Sequence, residues 1–362
     1  MVNLKRALLL LAVILFTVNP FTTRAAEEAH GAEPKSQKQE INEYILHHLE
    51  DDHYFSLYKK GDGTYVGFPL PVILIDGGLK IFSSGEFKQG KAVVEKDGQH
   101  YKIYHGKIYK TDAAGTINYD EQHHPTNAKP LDFSITKNVA GLFLATLLMF
   151  LGFGSLAKTY KKGVNTLPKG VGRVLEPLVL HVRDEMAMPN IGHRYKEFMP
   201  YLLSVFFLIF LLNLLGLTPL GFNVTGNISV TLCLALFTFF ITNFKANKDY
   251  WKHIFWMPGV PVPFKFILAP IEVLGLFTKP FSLMLRLFAN ITAGHTVIMG
   301  LIAIVYLMQS QLTVGGSIGI SMFLSLILFF LELLVAFLQA FIFTMLSSLF
   351  IGMAVEEHAH DH

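Results

Sequence analysis

Five long apolar stretches constrain this chain more than any other feature of its sequence. They span residues 139 to 157, 199 to 218, 228 to 244, 281 to 308 and 318 to 354. A helix needs about 20 mostly apolar residues to cross a hydrocarbon layer of ~30 Å, so each stretch is a candidate span. The last two are long enough to tilt or kink. With 52% hydrophobic and 16% charged residues, the chain is predicted to be an all-α polytopic membrane protein with about five transmembrane segments.

The N-terminus is typical of a secretory signal. Lys5 and Arg6 precede the apolar run from Ala7 to Val18, and small residues follow that run. We therefore predict a signal peptide over residues 1 to 26 and export of residues 27 to 135. The alternative is an uncleaved anchor helix, which would leave the exported region on the same side of the membrane.

The exported region is predicted to hold a small, mostly β module after a polar linker. β-branched and aromatic residues are frequent from Tyr65 to Phe82 and from Tyr101 to Tyr109. Turn signals interrupt these runs at Asp76-Gly77-Gly78, Asp97-Gly98 and Gly106. The sequence assigns no role to this module.

No metal or cofactor site is predicted. The histidines of the exported region lack a defined ligand spacing, so we expect them on the solvated surface; they are His47, His48, His53, His123 and His124. The tail histidines His358, His360 and His362 favour a solvated tail over a metal-handling protein. The single cysteine, Cys233, has no disulfide partner and is expected to pack in a core. A net charge of +3 is too small to indicate nucleic acid as a partner.

Loop charges predict the orientation, because lysine and arginine collect on the cytoplasmic side. The first and third loops between the spans are basic, whereas residues 219 to 227 and 309 to 317 contain no lysine or arginine. The membrane domain, residues 136 to 357, is therefore predicted to end in the cytoplasm with the tail 358 to 362. Residues 170 to 190 show helical amphipathic spacing, which indicates a helix at the cytoplasmic interface.

Ionisable residues inside apolar spans are costly and are therefore candidates for function. They are Glu272, Arg286, His295 and Glu332. Arg286, Asn290 and Gly294 recur at helical spacing and form one stripe, whereas His295 is about 180° from Arg286 round the helix. An arginine that only extends to the interface is the alternative reading of Arg286.

Polar residues of the last span recur every seven positions, at Ser325, Glu332 and Gln339. This spacing predicts one polar seam that lines water or another helix, or a purely structural seam. If Gln339 lies level with Arg286, then Glu332 and His295 fall at similar depth on the outer side. A carboxylate and an imidazole there can pass a proton. On the inner side, Glu272 and Ser282 offer a second polar set.

The run Leu285-Arg286-Leu287-Phe288-Ala289-Asn290, followed by Ala293-Gly294, resembles the signature of the F-type ATP synthase a subunit family. Further segments resemble the family in order and spacing over about residues 139 to 355. They are Gly192-His193, Asn213 to Pro219, Val230-Thr231-Leu232, Glu272, Thr278-Lys279-Pro280 and Leu338 to Phe343.

This resemblance implies a proton-translocating stator subunit, not catalytic by itself, in the inner membrane of a bacterium. It implies long tilted helices at the interface with a rotor, and as partners a ring of c subunits, the b subunits of a peripheral stalk, other synthase subunits and lipid. Arg286 would be the essential stator arginine, with Asn290 and Gln339 as polar neighbours and with His295 and Glu332 in the outer half-channel. A secondary transporter or channel with a periplasmic domain is the alternative.

Four departures from the family pattern stand out. The acid and the histidine of the outer half-channel are exchanged relative to many bacterial members, as in mitochondrial ones. Ala289 replaces the usual glycine, and Asn227 stands where some members have an aspartate. The exported region is longer than in the commonest members.

Overall fold

The computed structural model of the chain describes residues 51–59, 65–122, 124–161, 169–218, 222–257, 260–308 and 314–356. The predicted signal peptide, the polar linker and the histidine tail lie outside these residues. A small β module precedes a helical membrane domain, as the predicted fold class requires.

The β module contains eight short strands in its described part. Two pair as an antiparallel hairpin: β1 (Tyr54–Lys59) and β2 (Tyr65–Pro69). Three form a sheet in the order β4-β3-β8: β3 (Pro71–Ile75), β4 (Leu79–Ser83) and β8 (Leu131–Asp132). Three form a second sheet in sequence order: β5 (Val94–Lys96), β6 (Gln99–Tyr104) and β7 (Lys107–Thr111).

Glycines with positive φ make the tight turns between these strands, as the sequence predicted. Gly77, Gly98 and Gly106 have φ of 64°, 74° and 67°, a region that glycine enters without steric cost. The two three-stranded sheets enclose one core, whose fully buried members are Val72, Leu74, Phe87 and Tyr101.

The membrane domain consists of helices of very different length. They are α1 (Lys137–Lys161), α2 (Val171–His181), α3 (Met188–Ile191), α4 (Tyr195–Leu217), α5 (Ile228–Phe244), α6 (Lys248–Phe255), α7 (Val262–Met308) and α8 (Val314–Val355). A π turn (Val182–Ala187) and a 3₁₀ turn (Gly192–Arg194) join α2, α3 and α4.

The predicted count of about five spans is confirmed. In the described part of the chain, four helical segments are long and apolar enough to cross a membrane: Lys137–Lys161, Val171–Leu217, Val262–Gly294 and Phe323–Val355. The pair α5 and α6 supplies the fifth candidate, with a bend of 102° between its helices.

Two boundaries differ from the sequence prediction. The amphipathic segment after residue 170 is helical as expected, but it continues through the π and 3₁₀ turns into α4. α7 begins at Val262 rather than near residue 281, with Pro270 and Pro280 inside it. The polar groups of Glu272 and Lys279 lower the hydropathy of this first part, which hides it from an apolar-run count.

α4 packs against α1 and α8 and contributes much of the buried core of the helical bundle. Leu202, Phe206 and Ile209 of α4 are fully buried. α8 approaches its neighbours through small residues, because a side chain on Gly352 would lie only 1.9 Å from the carbonyl oxygen of Asn190. Close packing of this kind holds helices together in lipid, where apolar burial alone gives little.

The β module is docked directly on the start of α1 and on the segment between α4 and α5. The carboxylate of Asp51 accepts hydrogen bonds from Asn138 N and Thr136 Oγ1, both at 3.0 Å, and so caps α1. The ring of Phe55 lies 5.3 Å from the ring of Phe222, between α4 and α5. A side chain on Gly141 would meet Phe222 at 2.7 Å, so glycine permits this contact.

Candidate functional site

Arg286 lies on α7 with its side chain exposed on the surface of the chain. Its neighbours Leu283 and Leu287 are almost fully buried at 1% and 0% exposure, and they fix which face of α7 packs on the bundle. Within the described ranges, no carboxylate forms an ion pair with the Arg286 guanidinium. The Arg286 charge therefore points away from the helical bundle.

Gln339 of α8 joins the polar groups around Arg286. Its Nε2 donates to the backbone oxygen of Arg286 at 2.8 Å, and its Oε1 accepts from Asn290 Nδ2 at 2.8 Å. Gln339 is 2% exposed, so both bonds are shielded from solvent. The register assumed in the sequence analysis, with Gln339 level with Arg286, is therefore the one that the structure has.

Glu332 of α8 lies against α7 about two turns beyond Arg286, toward the C-terminal end of α7. Its side chain is 8% exposed. A Cβ on Gly294 would lie 3.3 Å from Glu332 Oε1, so the absence of a side chain at Gly294 makes room for the carboxylate. His295 follows Gly294 on α7, which places its backbone at the depth of Glu332, as the spacing predicted. The side chain of His295 lies outside the described part.

The predicted polar seam of α8 is only partly buried. Glu332 and Gln339 pack against α7, whereas Ser325 is exposed. Seven residues add a drift of ~20° per step, so Ser325 is rotated by ~40° from Gln339 round α8.

The structure does not bring the two inner residues, Glu272 and Ser282, into the Gln339 group. Ser282 is exposed one turn before Arg286, and half-buried Glu272 lies ~21 Å before Arg286 along α7. They share the surface of α7 but not a hydrogen bond in the described residues.

Sequence reasoning missed a small, mostly apolar cavity between α5, α6, α7 and α8. Its volume is about 10 Å³. The Oδ1 of Asn243 and the hydroxyl of Tyr250 line it, both buried and without a hydrogen-bond partner among the described residues. Lys279 lines it as well, with Nζ 5.7 Å from the Tyr250 ring. The only signal in the sequence was a lysine between two apolar stretches.

Two expectations for single residues are wrong. His53 is not on the solvated surface: it is 2% exposed, and its Nε2 lies 2.9 Å from Asp132 Oδ2, because β8 returns beside the start of β1. Cys233 is exposed rather than packed in a core, because it lies on the outward face of α5.

No cluster that could hold a metal ion occurs in the residues that the structure describes. His124 is exposed on the surface as expected, whereas His47, His48, His123 and the tail histidines lie outside the described ranges.

Asn227 has a structural role, since its Oδ1 accepts from Ser229 N at 3.0 Å and caps α5.

The sequence profile of the ATP synthase A chain family matches residues 139–352. A second profile, described as a domain of unknown function (DUF8433), matches residues 44–133.

Individual relatives carry the name of the same subunit. The chain is 45% identical to ATP synthase subunit a 2 of Chlorobaculum tepidum over 67% of this chain and 70% of the relative. It is 47% identical to ATP synthase subunit a of Chlorobium phaeobacteroides over 64% and 68%. It is 45% identical to ATP synthase subunit a 2 of Prosthecochloris aestuarii, over 81% of this chain and 93% of the relative.

Proposed function

This chain belongs to the ATP synthase A chain family, and from that premise we propose that Arg286 is the stator arginine that meets a carboxylate of a rotating ring. The chain is a membrane subunit that translocates protons in an F-type ATP synthase and does not catalyse a reaction by itself. No finding supports the alternative of a secondary transporter or channel.

The observation that carries the proposal is the charge of Arg286, which is exposed and has no ion pair among the residues that the structure describes. Gln339 bonds to the backbone of Arg286 and to the side chain of Asn290, so the donors of the guanidinium stay available. A charge within a membrane segment is costly without a partner. A carboxylate from a neighbouring subunit would supply that partner, and a ring of c subunits that passes α7 would supply one carboxylate after another.

Arg286 would act on the ring by electrostatics alone. A ring carboxylate can travel through lipid only as the neutral acid, because the bare charge costs several kcal/mol there. Beside a guanidinium, which is charged at every working pH, the carboxylate loses its proton. The same fixed charge repels protons and so separates the two access paths.

The two paths would lie on opposite sides of Arg286. On the outer side, Glu332 faces the Gly294–His295 level of α7, and a carboxylate and an imidazole there would pass protons at neutral pH. On the inner side, Ser282 and Glu272 would line the path along the surface of α7. A proton would enter by one path, travel with the ring and leave by the other.

The basic loops and the family membership support a proposed orientation and proposed partners. The docked β module would lie in the periplasm, and the C-terminus would lie in the cytoplasm of a bacterium. The b subunits of a peripheral stalk would hold the chain against the turning ring. The signal peptide over residues 1 to 26 remains a prediction.

Arg286→Lys tests the proposal directly. The variant keeps the charge but loses the planar, delocalised donor set, so we expect ATP-driven proton pumping to fall by about a hundredfold or more. Pumping is measured in membrane vesicles and normalised to assembled complex. Arg173→Lys, at an exposed arginine of α2, is the matched control and should pump normally. Normal pumping by Arg286→Lys would refute the assignment.

A further inference from the structure

A cationic and aromatic surface lies at the end of the helices that is remote from the β module. α5 begins beside the loop that contacts Phe55 and ends at Phe244, so α6 and the start of α7 lie at the opposite end. Lys252, Trp256 and Lys265 define this surface. The proton path described above does not use it.

The geometry places α6 along the membrane rather than across it. α6 is bent by 102° from α5. Ile254 is 6% exposed and packs toward the bundle, whereas Phe255 and Trp256 are 57% and 49% exposed on the other side. A helix that is buried on one face and aromatic and basic on the other is typical of the membrane interface.

Trp256 contacts the residues on either side of the bend between α6 and α7. Its backbone N–H donates to the oxygen of Lys252 at 2.7 Å and ends α6. The Nζ of Lys265, in the first turn of α7, lies 4.4 Å from the centre of the Trp256 ring. This cation–π distance keeps the lysine near the ring without neutralising its charge.

The charges of the surface are not compensated by the protein. Neither Lys252 nor Lys265 forms an ion pair with a described carboxylate, and Asp249 on the same helix bridges to neither. Lys245 nearby differs, because its Nζ lies 2.6 Å from Glu197. Two lysines are therefore free to bind an anion.

Exposed apolar side chains continue from the lysines along the start of α7. Phe264, Phe266 and Ile267 are 57%, 73% and 62% exposed. The surface thus offers a phosphate-binding end and an apolar end, and Trp256 lies between them. Tryptophan prefers this position at the boundary between headgroups and acyl chains.

We propose that Lys252, Lys265 and Trp256 bind the headgroup of an anionic phospholipid, with its acyl chains along Phe264 and Phe266. The lipid fixes α6 in the plane of the membrane and anchors the start of α7, the helix that carries Arg286. Basic residues near the surface attract anionic lipids, and the aromatic side chains position them.

The two tryptophans of the chain, Trp251 and Trp256, both lie at this surface, so fluorescence reports it without a label. The full chain is placed in phosphatidylcholine vesicles with a minor fraction of phosphatidylglycerol whose acyl chains are brominated. We expect the tryptophan fluorescence to be quenched more than the mole fraction of brominated phosphatidylglycerol would give. The preference for this lipid should be about fivefold for each lysine. Lys252→Gln with Lys265→Gln should remove it, and the two Arg variants should retain it.

Lys158→Gln, at an exposed lysine at the end of α1, is the matched control and should keep the preference. Quenching in proportion to mole fraction in the unsubstituted chain would overturn the proposal. An equal loss in Lys158→Gln would also overturn it. Competition by soluble inorganic phosphate at constant ionic strength would show a free-anion site instead of a lipid site. The measurement requires no proton transport, so it stands apart from the role of Arg286.

Discussion

In the β module, the amine of Lys80 is 7% exposed and donates to the hydroxyl of Tyr101 at 3.1 Å and to the oxygen of Lys96 at 3.0 Å. The hydroxyl of Tyr101 in turn donates to Asp76 at 2.8 Å, and Lys110 bonds the same carboxylate at 2.6 Å. In the membrane domain, the buried polar group beside Arg286 is Gln339, which donates a hydrogen bond to the backbone oxygen of Arg286. The guanidinium itself has no ion pair in the described part of the chain.

The difference separates charges that hold a fold together from a charge that, under the proposed function, acts on another molecule. A buried charge is tolerated when a partner and hydrogen bonds offset its loss of water. The module satisfies this condition within itself, so its charged network needs no outside partner. Arg286 has no such partner in the described part of the chain, and under the proposed function a second subunit would supply the carboxylate.

The largest expected effect, after that of Arg286→Lys, is in Gln339→Leu. Leucine has a similar volume but removes both hydrogen bonds, so Asn290 and the α7 backbone lose their connection to α8. We expect ATP-driven pumping to fall by about tenfold to a hundredfold, because small misplacements cost that much. Ser325→Ala on the exposed face of α8 is the control, and unchanged pumping in Gln339→Leu would remove Gln339 from the site.

A double-mutant cycle tests whether His295 and Glu332 belong to one proton path. His295→Ala and Glu332→Ala are each expected to lower proton flux about tenfold. If the two residues share one path, the double variant should lose less than the product of the single losses, with a coupling of about 1–2 kcal/mol. Flux is measured in vesicles at neutral pH, and strictly multiplicative losses would count against a shared path.

The sequence predicted the parts of this comparison that depend on spacing along one helix. Once Gln339 is assumed level with Arg286, a rise of ~1.5 Å per residue places His295 and Glu332 at a similar depth, and glycine turns followed from residue type. Contacts between distant segments were not predictable. His53 was placed on the surface because its partner Asp132 is far away in sequence. The strand β1 was not predicted either, since the recognised strand signals began at residue 65.

The sequence also could not predict which face of each apolar helix is buried. Cys233 and Ser325 lie in apolar helices, but which face of such a helix packs inward is decided by its neighbours rather than by its own pattern. The start of α7 was hidden for the opposite reason, since its charged residues interrupt an otherwise apolar run.

The smallest expected effect is a pH dependence confined to the β module. Hydrogen bonds from Lys110 and Tyr101 hold the pKa of Asp76 below its ordinary value of 3.8. The ionised carboxylate therefore stabilises the module fully above pH 3.8, and this stabilisation is lost as the pH falls through the lower folded pKa. Hydrogen exchange of the module should show this acid loss in the unsubstituted protein and less of it in Asp76→Asn.

Proton pumping at neutral pH should be the same in Asp76→Asn, once it is normalised to assembled complex. Asp112→Asn is a control, because that carboxylate bonds to Thr116 outside the Lys80 network. A loss of pumping in Asp76→Asn alone would mean that the charged network of the module takes part in transport, and the contrast with Arg286 would fail.

The central claim is that the unpaired charge of Arg286 keeps the outer and inner paths apart, and passive proton flux through Arg286→Ala tests it most directly. Assembled complexes in vesicles are exposed to an imposed proton gradient with no ATP present. The account predicts that Arg286→Ala dissipates the gradient faster than the unsubstituted complex and shows no ATP-driven pumping. Vesicles with Arg286→Ala that hold the gradient as well as the unsubstituted complex, or that still pump, would contradict it.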